Sequence, residues 1–184
     1  MPHDERQGLP SASETERLAL CKAAFVRSKG QPDKTSADAQ TGYNVHESLE
    51  TGDKSGLTRA EEQMVDEANQ LAFEVFDQTG FERDKCKLLL EERFWFERNG
   101  SVMFSGKPDL VAIDDNRALI IDYKTGYLET LEASKNLQLR ALAALVQKNI
   151  PEVDEISVAI VQPNLKPGYT VARYAPGDLT LACA

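Results

Sequence analysis

Two short strings hold residue types that can do chemistry: Gly106-Lys107-Pro108-Asp109 and, thirteen residues after Asp109, Asp122-Tyr123-Lys124. Successive side chains of an extended strand point to opposite faces, so Asp122 and Lys124 share one face and Tyr123 takes the other. A hairpin turning through Asp114-Asp115-Asn116 returns Asp109 to the side of that pair. Two carboxylates and one ammonium grouped on a sheet suit phosphodiester hydrolysis. The carboxylates can hold a divalent cation that binds a phosphate oxygen and acidifies a bound water, while the lysine offsets developing negative charge. Hard oxygen donors favour Mg²⁺, and Mn²⁺ fits the same ligands. Taken singly, these residues have plainer readings: Asp109 as a turn aspartate after proline, Asp122 with Lys124 as a surface pair on an edge strand.

Periodic patterns predict the elements that must carry these residues. Residues 13–26 have helical spacing behind a capping box of Ser13 and Glu16. Residues 28–44 are rich in Gly, Pro, Ser, Thr and Asp without apolar periodicity, which predicts a loop or flap. A short helix over 45–50 and a longer one over 57–78 follow, the latter opened by Thr58 with Glu61 and closed by Gly80. Three strands are expected over 86–97, 102–114 and 118–124, separated by turns at Asn99-Gly100 and Asp114-Asp115-Asn116 and forming an antiparallel meander. Helical spacing returns over 131–147, and strands over 156–162 and 169–174 flank a turn at 163–168. The expected class is α/β, a central mixed sheet of about four or five strands flanked by helices.

Composition bounds the rest. A chain of 184 residues suits one domain, 1–184, with residues 1–10 polar and expected to be disordered. With 41% hydrophobic and 28% charged residues it has an ordinary globular balance, and no apolar run approaches the ~20 residues of a membrane span. The start MPHDERQGLP lacks the basic and apolar regions of a secretory signal. Cys21, Cys86 and Cys183 are odd in number and lack CxxC spacing, which argues against a disulfide framework and a zinc site. A reducing cytoplasm is the expected location. The net charge of −9 speaks against a general nucleic-acid-coating protein, and the acidity is concentrated in residues 38–132, with twenty-one acids against ten bases.

The string from Gly106-Lys107-Pro108-Asp109-Leu110 to Ile121-Asp122-Tyr123-Lys124-Thr125-Gly126 resembles the signature of the PD-(D/E)xK nuclease superfamily, in its RecB-type wording. Gly42-Tyr43-Asn44-Val45-His46 is similar to the GxxxH element of that family, Gln138 sits where its QxxxY glutamine begins a helix, and residues 11–25 are similar to its opening helix. The resemblance implies a restriction-endonuclease-like core. It also implies a metal site of His46, Asp109, Asp122 and the Tyr123 carbonyl, with Lys124 as charge-stabilising or water-orienting base and Gln138 in support. The activity it implies is that of a Mg²⁺-dependent deoxyribonuclease, most simply an exonuclease acting on DNA ends or single strands in recombination, repair or phage DNA processing. DNA is then the partner, with a helicase, recombinase or single-strand-binding protein as a further one, and no membrane. Position 142 is Leu where the family motif often has Tyr. Only Cys21 and Cys183 fall where some relatives place four iron–sulfur cysteines, so no such cluster is expected.

The other residues have structural readings beside functional ones. His46, on a short helix, is equally a surface or core histidine when read alone. Gln138 has Ala141, Leu142 and Leu145 on its helix face, so its amide needs partners, either sheet backbone or a metal-bound water and the DNA backbone. Glu91 and Glu92 read as an edge-strand charge pair. Lys22, Arg27, Lys29 and Lys34 are either a solvated helix face or a guide for phosphates. The rival functions are a catalytically silent relative that binds DNA or a partner protein, and a nuclease of RNA or structured DNA.

Overall fold

A computed structural model of the chain describes residue 6 and residues 8–28, 36–175 and 177–179. Among these residues, seven strands form two sheets. The main sheet has five strands in the order β1 (Lys87–Leu90), β4 (Leu110–Asp114), β5 (Arg117–Tyr123), β6 (Glu155–Val161), β7 (Tyr169–Tyr174), while β2 (Phe94–Arg98) and β3 (Ser101–Gly106) form a separate two-stranded sheet. All pairings are antiparallel except β5 with β6, which the crossover helix α5 (Leu137–Asn149) joins. The sheet is therefore mixed and helix-flanked, as expected.

Alternation along the strands sends two apolar sets to opposite faces. Val111, Ala118, Ile120, Val158 and Ile160 pack with Leu139, Leu142, Leu145 and Val146 of α5. Leu110, Ala112, Leu119, Ile121 and Val161 pack with Ala68, Ala72, Val75 and Phe76 of α4 (Arg59–Thr79). Covering on both faces explains why β5 reads as a continuous apolar run. The α4 helix begins with a capping box, Thr58 N–H donating to Glu61 Oε2 at 2.8 Å and Glu61 N–H to Thr58 Oγ1 at 3.3 Å, and ends at Gly80, whose φ of 71° is left-handed.

Several expectations need correction. Residues 37–44 are helical: α3 (Ala37–Thr51) starts at Ser36, whose Oγ accepts from the Ala39 N–H at 3.1 Å. Of its residues only Val45 and Ser48 are buried, too thin a stripe to register as periodic. The expected flap over 28–44 otherwise falls largely on 29–35, which lie outside the described residues, as do Lys29 and Lys34. The first helix is broken into α1 (Thr15–Leu20) and α2 (Ala24–Ser28), following a 3₁₀ turn over Ala12–Glu14 capped by Ser11 and Glu14, not by Ser13 and Glu16. Pro10, expected within a disordered start, is tied to β3 through the Ser105 N–H at 3.2 Å. The expected strands 86–97 and 102–114 each split in two, because Glu91 turns the chain with a φ of 49° and Pro108 cannot donate to a ladder. The meander is consequently interrupted by a hairpin that leaves the main sheet and packs against α5.

Gly106 shows how tightly that hairpin is seated. A Cβ there would lie 2.6 Å from Leu145 Cδ1, 2.7 Å from Leu142 Cδ2 and 3.1 Å from Ala12 Cβ. Gly106→Ala is therefore expected to lower stability by about 1–3 kcal/mol through overpacking, measurable as a shifted denaturant midpoint with an unchanged slope.

Candidate active site

The α3 helix carries His46 one residue after the fully buried Val45, which packs with Met64 and Val65 of α4. Glu91 follows the last residue of β1, and its N–H donates to the Asp109 carbonyl at 3.2 Å. Asp109 precedes β4, and its Oδ2 accepts the Tyr123 N–H at 2.6 Å while its Oδ1 faces His46 Nδ1 at 3.3 Å. One ligand atom from each of His46, Glu91 and Asp109 lies within 4.8 Å of the others. One imidazole and two carboxylates so grouped fit a hard divalent cation, which takes oxygen ligands and retains waters.

The register explains why the second half of the site lies close by. Leu110 pairs with Ile121 across β4 and β5, which puts Asp109 and Asp122 at neighbouring positions at the same end of the pair. Asp122 belongs to the α5 face with Ile120, and Tyr123 turns its ring to the α4 face. Asp122 is only 3% exposed, and both its oxygens are engaged: Oδ1 accepts from Gln138 Nε2 at 2.6 Å and Oδ2 pairs with Lys124 Nζ at 2.6 Å. Lys124 Nζ also donates to Gln138 Oε1 at 3.0 Å. The partners of the Gln138 amide are thus the acid and the base of the motif, not sheet backbone.

All six expected residues, His46, Asp109, Asp122, Tyr123, Lys124 and Gln138, line one open cavity of about 530 Å³. Asp122 stands apart from the three-donor group, its oxygens held by Lys124 and Gln138. Lys124 is half-buried rather than an exposed strand residue, because it closes onto Asp122 just beyond the end of β5.

Three residues of the site escaped the sequence reading. Glu91 is one, since it looks like part of an edge strand until the break after β1 is known. Its register opposite Asp109 is the signal that would have found it. The others are Gln162 and Asn164, which hold the segment following Lys124: Gln162 Nε2 donates to the carbonyls of Gly126 at 3.0 Å and Leu128 at 2.7 Å, and Asn164 Nδ2 to that of Thr125 at 2.6 Å. No local motif announces such long-range contacts.

The electrostatics follow the geometry. Burial lowers the His46 pKa, but its hydrogen bond with Asp109 and the charges of Asp109, Asp122 and Glu91 outweigh this, leaving it above the ordinary 6.5. Glu91 is raised by burial and by Asp109, against the opposing effect of Lys107. Burial lowers the Lys124 pKa, but Asp122, Asp109 and Glu16 together outweigh it, so the net shift is upward and the side chain stays an ammonium near neutrality. Burial pushes the Tyr123 phenol up to about 12.

Comparison with known proteins adds two findings. The model of a family described as "Protein of unknown function (DUF2800)" matches residues 53–175. A candidate exonuclease from Eubacterium rectale has a similar crystal structure, with a TM-score of 0.57 at 14% identity over 96% of this chain and 76% of that one. An alkaline exonuclease from Laribacter hongkongensis is more distant, with a TM-score of 0.44 at 15% identity over 95% of this chain and 81% of that one. No curated protein matches significantly. The Eubacterium likeness is one of fold. Among the described residues, no helix is long and apolar enough to cross a membrane.

Proposed function

This chain belongs to the DUF2800 family, whose description names no activity, and on the geometry of its cleft we propose that it is a metal-dependent deoxyribonuclease of the PD-(D/E)xK superfamily. One observation carries the reading: a donor group of His46, Glu91 and Asp109 shares a cavity with an ammonium that Asp122 and Gln138 hold in place. A structural ion pair needs no neighbouring cluster of metal donors, and a bare metal site needs no fixed lysine. The combination suits phosphodiester hydrolysis.

His46, Glu91 and Asp109 would hold the ion, with Asp122 and the Tyr123 carbonyl as the further ligands that the family resemblance implies. Mg²⁺ is the expected ion and Mn²⁺ its substitute; when bound, it would polarise a phosphate oxygen and acidify a water. The protein's own contribution is positional. Asp109 is fixed from both sides, by the Tyr123 N–H and by His46. Lys124, kept charged by Asp122, supplies positive charge to the phosphate oxygens as negative charge builds there, and so acts as a cation and not as a proton acceptor. Gln138 sets the position of that ammonium through Oε1 while its NH₂ group holds Asp122.

DNA ends are the substrate we assign, on the RecB-type motif and on the exonuclease name carried by the similar Eubacterium protein. The test is incubation with labelled linear and circular, single- and double-stranded DNA, and with RNA, in Mg²⁺, Mn²⁺ or EDTA. Linear DNA should be degraded with either cation and be untouched in EDTA. Absence of cleavage under every condition would sink the enzyme reading in favour of a silent relative.

Proton and metal compete for His46 and Glu91, which gives two opposite pH dependences. Mn²⁺ affinity should fall as pH drops through the raised His46 value, because the imidazole must lose its proton to bind. Metal-free stability should run the other way. A group whose folded pKa is raised contributes stability that is complete below its unfolded value, 6.5 for His46 and 4.5 for Glu91, and lost as pH rises through the folded one. Calorimetric Mn²⁺ titrations and melts of the metal-free protein from about pH 5 to about pH 8 would check both directions.

A further inference from the structure

The segment that follows Lys124 is an unusual surface connection. Its backbone is pinned: besides the carbonyls held by Gln162 and Asn164, the Thr130 hydroxyl donates to Gln162 Oε1 at 3.2 Å and the Ala133 N–H to Thr170 Oγ1 at 3.0 Å. Gln162, which makes three of these bonds, is itself buried. Yet the side chains so held are apolar and face solvent, Tyr127 being 73% exposed and Leu128 86%. A mobile loop could fold such groups inward, whereas the ties at Gly126 and Leu128 hold these outward. Leu128 lines the cavity that contains His46, Asp109 and Lys124, and Tyr127 directly precedes it. The α3 helix comes against the same segment: a Cβ at Gly42 would lie 3.1 Å from Thr125 Oγ1, and the next residue, Tyr43, is mostly exposed. Scattered apolar residues are ordinary on a surface, but a pinned apolar pair at the mouth of a site calls for an occupant.

The rest of the cleft says what that occupant is. Arg93, Lys107 and Lys124 line the same cavity as Leu128. A single nucleic-acid strand presents charged phosphates along one edge and uncovered base faces on the other, which matches cations and an apolar rim in one cavity. In a duplex the base faces are stacked on one another and out of reach. With a net charge of −9, the chain is poorly suited to hold a strand by phosphate attraction alone, and stacking supplies affinity that does not depend on charge. We propose that Tyr127 and Leu128 form a stacking platform for the unstacked bases of a single strand, at the mouth of a cleft whose cations meet its phosphates, an assignment that rests on the nuclease reading. The platform makes single strands and frayed ends the preferred substrate, because only there can a base leave its neighbours to lie on the ring.

The test compares strands that differ only in their bases. An oligothymidylate with nuclease-resistant phosphorothioate linkages, and an abasic strand of the same length and linkages, are titrated in Mg²⁺ over a range of salt into the wild type, Tyr127→Ala, Tyr127→Phe and Leu128→Ser, each checked by circular dichroism melting. The wild type should prefer the oligothymidylate by about tenfold, the scale of one base stacked on an aromatic ring. Tyr127→Ala should lose most of that preference with no change in the slope of log affinity against log salt, since no phosphate contact is removed, and Tyr127→Phe should keep it. Leu128→Ser should lose part of it and carries the test should Tyr127→Ala fail to fold. Equal affinity of the wild type for the two strands would overturn the proposal and leave the nuclease reading standing. So would a preference kept in both Tyr127→Ala and Leu128→Ser, the mark of a patch that serves a protein partner, or a loss accompanied by a lower salt slope. Failure of the wild type to bind either strand would also overturn it, and if a phosphorothioate duplex is left unbound as well, the nuclease reading falls with it.

Discussion

Lys124→Ala is expected to lower the rate of DNA cleavage by about 10²–10³, the scale of losing one fixed charge-stabilising group from an active site. The loss should fall on kcat, since developing charge in the transition state is what the ammonium meets, and KM should change less. Folding should survive at a cost. The substitution leaves Asp122, 3% exposed, with the Gln138 amide but no cation. Removing one partner of a fully buried pair costs about 3–5 kcal/mol, and because the Lys124 side chain is about a quarter exposed the figure here should be smaller, about 1–3 kcal/mol. Single-turnover cleavage of an end-labelled oligonucleotide and a thermal melt separate the two effects. Wild-type cleavage by a folded variant would mean that Lys124 serves only to neutralise Asp122.

Asp109→Asn should be as damaging to activity without a comparable cost in stability. The amide oxygen can still accept the Tyr123 N–H, so the junction of β4 with β5 keeps its hydrogen bond. The charge disappears from between His46 and Glu91, and the divalent ion loses a ligand. Supporting residues beyond a metal's direct ligands typically change affinity by about 10–100-fold, so a direct ligand should cost at least the upper end of that range. In the metal-free protein, one negative charge fewer beside Glu91 and Asp122 relieves repulsion, and Tm should hold or rise. A fall of more than about 4 °C, roughly 1 kcal/mol in a chain of this size, would indicate instead that the carboxylate is structural. Mn²⁺ titration and melting of the same sample decide between the two.

The two halves of the site differed in how far the sequence disclosed them, for a physical reason. Asp122 and Lys124 obey the period of a strand, and Asn99-Gly100 and Asp114-Asp115-Asn116 turn the chain with Asn99 and Asp115 at φ near 52°, so local rules suffice there. The same holds for β7, found where its alternation put it, and for the α4 capping box. Glu91 could not be read this way. It too has a left-handed backbone, but it is an acid inside an apolar and charged run with no turn residue beside it, and tertiary context alone makes it a break. The α3 helix escaped because the side chains it buries are few, and Gln162 and Asn164 because their partners lie more than thirty residues away.

The hairpin of β2 and β3 leaves the main sheet after Glu91 and returns to it at Asp109, and those two residues are bonded to each other through the Glu91 N–H and the Asp109 carbonyl. Two of the three proposed metal donors therefore sit at the neck of an excursion, not along it. Changes at the Asn99-Gly100 tip should therefore leave the two acids of the neck in register, whereas changes at the base, where Gly106 is pressed on Leu142 and Leu145, should be felt at the cleft.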